Sequence, residues 1–142
     1  WLYGSHGYNF LKTILRRAVN EPQKGLRVVN DQFGTPTWSR RLAKQILAVV
    51  EADAGGLFHA SGEGCCSWYD FAQEFITAMK LDCEVRPCTT ADYPTTSVRP
   101  SNSILENAAL KRAGLNLMQD WRDDLREYAV RYREPLLNEV RS

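Results

Sequence analysis

The chain has 142 residues, of which 44% are hydrophobic and 25% are charged, a balance typical of one ordinary globular domain. Its 18 basic and 17 acidic side chains nearly cancel. This argues against nucleic-acid and membrane-surface partners, because such proteins usually carry a basic excess on one face. No apolar run reaches the ~20 residues of a membrane-spanning helix, and the first residues show no signal-peptide pattern.

Strands and helices are predicted to alternate along the first third of the chain. The apolar residues 1–3 predict the end of a strand, and Asn9 is expected to begin a helix with apolar residues at helical spacing. Leu26–Val29 predicts another strand, and the polar residues 30–36 predict a loop. Thr37 is expected to cap a second helix. Its buried side would hold Leu42, Ala43, Ile46, Leu47, Val49 and Val50.

The middle of the chain repeats this alternation. Leu57–Ala60 predicts a strand, and Ser67 with Asp70 has the spacing of a capping box at the start of a helix. That helix would bury Phe71, Ala72, Phe75, Ile76 and Met79. Residues 84–88 predict a strand at a sheet edge, because Pro87 lacks a donor for a central ladder.

The last third is predicted to begin with a long loop, residues 89–103, whose length favours a functional role. A short helix is expected over 106–113, with Gly114 as its C-terminal cap. The final helix is expected after Asp120. It would bury Trp121, Leu125, Tyr128, Ala129 and Tyr132. Alternating strands and helices place the chain in the α/β or α+β class, as a small sheet with flanking helices.

Several catalytic patterns are weak. No glycine-rich phosphate loop occurs. Tyr8 and Lys12 have a Y-x-x-x-K spacing, but Tyr8 would precede its helix or begin it, so a structural role is favoured. His6 and His59 could act as bases, yet neither has a nucleophile with a recognisable flanking motif.

Metal and carboxylate sites are also disfavoured. The four cysteines, Cys65, Cys66, Cys83 and Cys88, fit no standard zinc spacing. A site with His59, Cys65 and Cys66 is conceivable, but free thiols in a reducing cytosol are favoured, and we expect a cytoplasmic protein. Residues 123–127 place Asp123, Asp124 and Glu127 near arginines, which predicts a solvated, ion-paired helix face.

Three loops, residues 4–9, 31–37 and 93–103, combine hydrogen-bonding side chains with Gly or Pro. Arg99 could bind a phosphate oxygen, and Gln32 and Thr35 could bind a sugar or a base. Stacking faces are offered by Trp1, Tyr3, Phe33 and Tyr93. The loops therefore suit a phosphorylated, ring-bearing small molecule, although ordinary connecting loops would look the same.

Specific sequence blocks carry a resemblance. They are WLYG at 1–4, NFLKT at 9–13, VNDQFGTPT at 29–37, GLFH at 56–59, SWYDFA at 67–72, YPT at 93–95 and RPSNS at 99–103. In order and spacing they resemble the C-terminal half of the dTDP-4-dehydrorhamnose reductases, a family of extended short-chain dehydrogenase/reductases. The resemblance covers nearly the whole chain.

The resemblance implies that residues 1–142 form a single substrate-binding domain, the C-terminal part of an extended Rossmann-type reductase. Complete members reduce dTDP-4-dehydro-6-deoxy-L-mannose to dTDP-L-rhamnose with NADPH or NADH. Their cofactor loop and catalytic Thr/Ser, Tyr and Lys would precede Trp1, and Tyr8 does not match that Tyr. We therefore expect no catalytic residue, bound cofactor or reductase activity in this chain alone, which would be an engineered or proteolytic fragment or the product of a split gene.

The resemblance also implies positions for a dTDP-sugar. Trp1 would lie beside the deoxysugar, and Asn9 and Phe10 would approach the sugar nucleotide. Gln32, Thr35 and Pro36 would border the nucleotide. Arg99 would approach the diphosphate or the nucleotide.

Two other functions stay open. One is a non-catalytic interaction module like the regulatory subunit of methionine adenosyltransferase, and the other is an unrelated small α/β domain. We also expect Trp1, Tyr3 and Phe10 to be exposed where an N-terminal half would pack. Self-association, through pairing of residues 1–3 with a neighbour, or contact with the missing N-terminal half would cover them.

Overall fold

The computed structural model describes residues 1–92 and 99–141. Its elements in chain order are β1 (Leu2–Tyr3), α1 (Phe10–Asn20), a 3₁₀ turn (Pro22–Lys24), β2 (Leu26–Val29), β3 (Phe33–Gly34), β4 (Thr37–Trp38), α2 (Ser39–Glu51), β5 (Cys66–Ser67), α3 (Trp68–Ala78), β6 (Val85–Cys88), a second 3₁₀ turn (Thr90–Asp92), α4 (Ala108–Arg112) and α5 (Trp121–Arg141). The mixed α/β class is confirmed. None of the described helices is both long and apolar enough to span a membrane.

The strands pair as three two-stranded ladders. β1 lies parallel to β4 and β2 parallel to β6, whereas β3 and β5 are antiparallel. In the β2–β6 ladder, Leu26 lies opposite Val85 and Val29 opposite Cys88. The small sheet expected from the sequence is therefore divided into short ladders held together by helices.

The core forms where α1, α3 and α5 pack against one another and against the ladders. Its centre is aromatic: the Tyr128 ring meets Tyr3 edge-on at 5.2 Å, and Tyr3 meets Phe71 at 5.4 Å. Such pairs add about 0.5–1.5 kcal/mol each beyond the area they bury. The Tyr128 hydroxyl donates to the Gly4 carbonyl at 3.0 Å, which ties α5 to the loop after β1.

Local capping predictions are confirmed. The Asn9 side chain accepts from the Lys12 amide at 3.1 Å and donates to the Gly4 carbonyl at 2.9 Å. Ser67 and Asp70 form a complete capping box at the start of α3. Gly114 has a positive φ of 67° after α4, a conformation that favours glycine at a helix end.

The predicted cap of α2 is wrong. Thr37 belongs to β4, and α2 begins at Ser39 after Trp38, which makes no side-chain cap bond. The Thr37 hydroxyl donates to the Thr35 carbonyl at 3.2 Å and accepts from the Gly62 amide at 3.1 Å. The Thr37 hydroxyl is therefore already engaged by Thr35 and Gly62 and does not cap α2.

The predicted buried side of α2 is also wrong. Ile46, Leu47 and Val50 are 54%, 59% and 68% exposed, and Ala43 is exposed as well. The residue of α2 that is buried is Gln45, whose amide donates to the Leu115 carbonyl at 2.9 Å. Leu42 and Val49 are half-buried. The helical spacing identifies an apolar face correctly, but no element among the described residues covers it.

Three further burial or strand predictions fail. Residues 57–60 form no strand, and Leu57 is 86% exposed, since no neighbouring strand receives its backbone. Tyr3 is only 2% exposed because the aromatic core encloses it, and Trp1 and Phe10 are half-buried. The predicted trio is therefore not an exposed patch, whereas α2 exposes three large apolar side chains, Ile46, Leu47 and Val50.

Candidate functional site

A cavity of about 350 Å³ opens between α1 and β2, a volume within the range of small-molecule sites. We call it the α1–β2 groove. Its wall on β2 is made by residues 27–29, and its wall on α1 carries Phe10, Thr13, Ile14 and Arg17. Gln32, Trp68 and Arg99 complete the lining.

The α1 wall follows directly from helical geometry. Positions 10, 13, 14 and 17 lie on one face, because residues three, four and seven apart overlay along a helix. Ile14 is buried at the base of this face, and Phe10 is half-buried at its start. Seven residues at 1.5 Å each separate Phe10 from Arg17, so the groove extends for about 10 Å along the helix.

One end of the groove is aromatic. Trp68 and Trp1 stack with ring centroids 3.6 Å apart and planes 11° apart, and Phe10 lies 4.6 Å from Trp68. Gly34 packs so closely on the Trp1 indole that a Cβ there would overlap the ring. Trp1 therefore supports Trp68 from behind, and Trp68 presents the aromatic surface to the groove.

A hydrogen-bond chain fixes Gln32 in the lining. Its amide Nε2 donates to the Thr90 hydroxyl at 3.0 Å, and that hydroxyl donates to Asp31 at 2.7 Å. The Thr90 amide also donates to the Asp31 carboxylate at 3.0 Å. These bonds from Thr90 lower the pKa of Asp31, because they favour its ionised form.

The groove is electropositive. Arg17, Arg27 and Arg99 belong to its lining, which contains no carboxylate among the described residues. Across residues 1–92 and 99–141 no ion pair within 4.0 Å involves these three groups. Arginine side chains that line one cavity favour a ligand with phosphate or other acceptor oxygens.

Among the residues that the family resemblance implied, Phe10, Gln32 and Arg99 line the groove together. Trp1 lies behind Trp68 and is not part of the lining. Tyr93, which the sequence offered as a stacking face, lies outside the described residues.

The structure places the other implied residues away from the groove. Asn9 caps α1, and both ends of its side chain are engaged. Thr35 is 4% exposed, and its hydroxyl has no hydrogen-bond partner among the described residues. Pro36 is buried, with its carbonyl against Gly62.

The weaker catalytic patterns are not assembled. Tyr8 is 95% exposed, whereas Lys12 is buried and pairs with Glu139 at 2.7 Å, so the two do not form a proton-transfer pair. His6 and His59 are both exposed. The described residues contain no cluster of three metal-binding side chains, so His59 does not join Cys65 and Cys66.

The carboxylates of α5 differ from their predicted solvated arrangement. Asp123 and Glu127 are exposed as expected, but Asp124 is 2% exposed and pairs with Arg41 at 2.9 Å. Burial raises the pKa of Asp124, and the Arg41 guanidinium opposes that rise. Asp124 therefore belongs to a largely buried ion pair with a structural role.

Sequence reasoning did not predict the other residues of the groove, among them Arg17, Arg27 and Trp68. Arg17 lies seven residues after Phe10, a spacing that indicates a shared helix face. Trp68 follows a capping-box serine and so begins α3. No local pattern shows that it meets α1.

The described residues do not form a dinucleotide-cofactor cradle. Such a cradle needs a glycine turn that opens directly onto free amides at a helix N-terminus. Gly4 and Gly7 follow β1, but α1 begins only at Phe10, and Asn9 already occupies an amide of its first turn. The loop before α1 therefore does not fit the phosphates of a nicotinamide cofactor.

Comparison with known proteins gives a consistent result. A family model described as "RmlD substrate binding domain" matches residues 1–134. The spore coat polysaccharide biosynthesis protein SpsK of Bacillus subtilis is 38% identical over 128 residues, which cover 90% of this chain and 44% of that protein. The dTDP-4-dehydrorhamnose reductase of Aggregatibacter actinomycetemcomitans is 38% identical over 147 residues, which cover 91% of this chain and 48% of the reductase.

Solved structures agree. A crystal structure of a dTDP-4-dehydrorhamnose reductase from Clostridium acetobutylicum shares 40% identity with a TM-score of 0.81, over 90% of this chain and 45% of its own. The Bacillus anthracis enzyme, solved in complex with NADP, shares 30% identity with a TM-score of 0.87, over 92% of this chain and 46% of its own. The chain thus spans about half the length of the curated relatives that it matches.

Proposed function

Since the chain belongs to the RmlD substrate-binding domain family, we propose that its α1–β2 groove binds the nucleotide part of a dTDP-linked deoxysugar. One observation carries this proposal: a single cavity brings Phe10 and Trp68 together with Gln32 and three arginines. A sugar nucleotide needs flat apolar contacts for its rings, neutral hydrogen bonds and cations for its diphosphate.

The implied residues have three kinds of role in this proposal. Phe10, Gln32 and Arg99 contact the ligand, with Arg99 at the diphosphate. Trp1 acts through its stack with Trp68, at the end where the deoxysugar would lie. The remaining residues, Asn9, Thr35 and Pro36, shape the loops behind the groove.

We propose further that a longer protein with this domain is an oxidoreductase of dTDP-rhamnose biosynthesis. It would reduce dTDP-4-dehydro-6-deoxy-L-mannose to dTDP-L-rhamnose with NADPH or NADH. The hydride would reach C4, and a proton would reach the C4 oxygen, from groups outside this chain. The groove would contribute orientation of the sugar nucleotide, a substantial part of catalysis. The 142-residue chain alone should then show no turnover with NADPH and substrate.

The location and surface contacts follow from the same proposal. All four cysteines are free, which suits a reducing cytoplasm. The exposed apolar face of α2 would pack against the rest of the longer protein, since the relatives are about twice as long. Self-association of the 142-residue chain stays a prediction, and monomeric light scattering at high concentration would contradict it.

Calorimetric titration of the chain with dTDP tests the groove. We expect binding at sub-millimolar to millimolar ligand, and no heat at millimolar dTDP would refute the proposal in favour of a non-catalytic interaction module. Arg99→Gln should weaken binding about tenfold, since a hydrogen bond to a charged group contributes about 1.5–3 kcal/mol. Arg112→Gln removes an exposed arginine of α4 outside the groove and should leave binding unchanged.

A further inference from the structure

We propose that Thr90 is a positioning residue of the α1–β2 groove. Through one hydrogen bond it sets the orientation of the Gln32 amide, so that the amide oxygen and not the NH₂ group is left for the ligand. The groove then takes a ligand that donates a hydrogen bond at this point, from a hydroxyl or a ring N–H. This inference rests on the proposed function of the groove as a nucleotide site.

The register of one ladder brings Gln32 and Thr90 together. β2 and β6 are parallel, with Val29 opposite Cys88, and the Asn30 amide donates to the Cys88 carbonyl at 2.9 Å. The segments that follow the two strands therefore leave the ladder at the same edge. Ligands of parallel sheets commonly bind at the carboxyl ends of the strands.

The direction of the hydrogen bonds at Thr90 follows from the charge of Asp31. Both carboxylate oxygens accept from the Thr90 amide at 3.0 Å, and Oδ1 also accepts from the Thr90 hydroxyl at 2.7 Å. These bonds lower the pKa of Asp31, so its carboxylate is ionised at neutral pH and has no proton to donate. The Thr90 hydroxyl therefore gives its one proton to Asp31.

With that proton engaged, the Thr90 hydroxyl can only accept from Gln32. An amide side chain has one end that donates and one end that accepts, so the NH₂ end must face Thr90. The contact of 3.0 Å between Gln32 Nε2 and Thr90 Oγ1 has this arrangement. A reversed amide would place two acceptor oxygens in contact with no proton between them, which is unfavourable.

The amide oxygen of Gln32 is left for the groove. Gln32 is only 7% exposed and belongs to the groove lining, and its Oε1 accepts no hydrogen bond from the part of the chain that the structure describes. A buried acceptor without a partner is costly, and a donor on the ligand supplies that partner. Because Thr90 orients the amide before the ligand arrives, less conformational entropy is lost on binding.

The test is calorimetric titration of the 142-residue chain and its variants with dTDP. Thr90→Val replaces the hydroxyl with a methyl group and keeps both backbone bonds to Asp31. It should weaken dTDP binding about fivefold, the typical effect of one neutral hydrogen bond. Thr90→Ser keeps a hydroxyl and should bind dTDP within about twofold of the wild type.

Thr89→Val is the matched control. The Thr89 hydroxyl also donates to an aspartate, Asp92, at 2.9 Å, and both threonines are exposed. Neither Thr89 nor Asp92 belongs to the groove lining, so Thr89→Val should bind dTDP as the wild type does. Thermal melting verifies that each variant is folded.

A double-mutant cycle separates positioning from a general structural role. Gln32→Met removes the amide, and in that background Thr90→Val should change the dTDP affinity by less than about 1.5-fold, because no amide is left to orient. A loss of about fivefold in both backgrounds would overturn the inference, since Thr90 would then act independently of Gln32.

Two analogues identify the ligand group that donates to Gln32. N3-methyl-dTDP lacks the ring N–H, and dideoxythymidine diphosphate lacks the sugar hydroxyl. The wild type and Thr90→Val should bind one of these two analogues with equal affinity. If the wild type kept its full advantage for both analogues, the acceptor role of Gln32 would be overturned.

The outcomes separate the two proposals. Equal dTDP affinity of the wild type and Thr90→Val would overturn the inference and leave the nucleotide site intact. The same conclusion would follow if Thr90→Ser bound dTDP as weakly as Thr90→Val, because the hydroxyl would then have no role. Absence of dTDP binding by the wild type would refute the proposed function itself and, with it, the inference.

Discussion

Gly34 should not tolerate even a methyl group. A Cβ at this position would lie 2.5 and 2.6 Å from Nε1 and Cζ2 of Trp1. The Trp1 indole has little room to retreat, because it stacks on Trp68 at 3.6 Å. Its backbone is held as well, since the Thr37 amide donates to the Trp1 carbonyl at 2.9 Å. Gly34→Ala must therefore displace the indole or the backbone around Gly34 and disturb the stack.

The expected cost comes from that displacement. Added volume in a packed site costs about 1–3 kcal/mol, and part of the Trp1–Trp68 stacking energy is lost as well. We take about 2 kcal/mol for the loss of unfolding free energy. For a domain of this size each kcal/mol lowers the melting temperature by about 4 °C, so Gly34→Ala should melt about 8 °C below the wild type. Because Trp68 lines the groove, the dTDP affinity should fall severalfold.

Thermal melting followed by circular dichroism, with dTDP calorimetry on the same samples, measures both effects. Gly55→Ala is the matched control, since nothing lies within 4 Å of a Cβ there, and its melting temperature should be unchanged or slightly higher. If Gly34→Ala had the same melting temperature as Gly55→Ala and bound dTDP equally well, the role of the Trp1–Trp68 stack in supporting the groove would be refuted.

Two further predictions concern charged groups. Arg41→Met leaves the buried Asp124 carboxylate without its partner and should lower the unfolding free energy by about 3 kcal/mol. Arg126→Met removes an exposed ion pair and should lower the unfolding free energy by less than about 1 kcal/mol. Equal urea midpoints of the two variants would contradict this difference between a buried and an exposed pair. The hydrogen bonds from Thr90 lower the pKa of Asp31, so the order they provide is present above the ordinary aspartate range and is lost as the pH falls through the lowered pKa. The advantage in dTDP affinity of the wild type over Asp31→Ala should therefore be full at pH 7 and shrink as the pH falls through the lowered pKa of Asp31. Calorimetry that showed no advantage of the wild type at pH 7 would count against this role.

The local structure was predictable where the chemistry spans a few residues. Asn9 and Ser67 each accept from the backbone amide three positions ahead, so sequence spacing alone specifies the bond. The same reasoning fails for Thr37, because its hydroxyl finds a partner 25 residues away at Gly62. A capping rule based on neighbouring residues does not include a partner so far away in the sequence.

The burial of α2 was unpredictable for a related reason. Helical periodicity states that a face is apolar, but tertiary contacts decide whether something covers it. Ile46 and Val50 are exposed because the contact that seats the helix is made by Gln45, a polar residue that periodicity assigns to solvent.

The residues of the candidate site also differ in how far the sequence predicts them. Phe10 came from the family resemblance alone, whereas Gln32 and Arg99 were also predicted from the chemistry of their loops, and the structure brings all three to one cavity. Arg17 and Trp68 belong to that cavity through the packing of α1 against α3, which depends on chain segments more than 50 residues apart.

The stacked indoles of Trp1 and Trp68 give the chain an intrinsic optical probe. Rings in such close register share their excited states, and any molecule that settles against Trp68 alters the emission of the pair. Trp38 and Trp121 are 2% and 1% exposed, so they contribute a nearly constant background. Occupancy of the groove can therefore be followed by tryptophan fluorescence, without a label and at concentrations far below those that calorimetry requires.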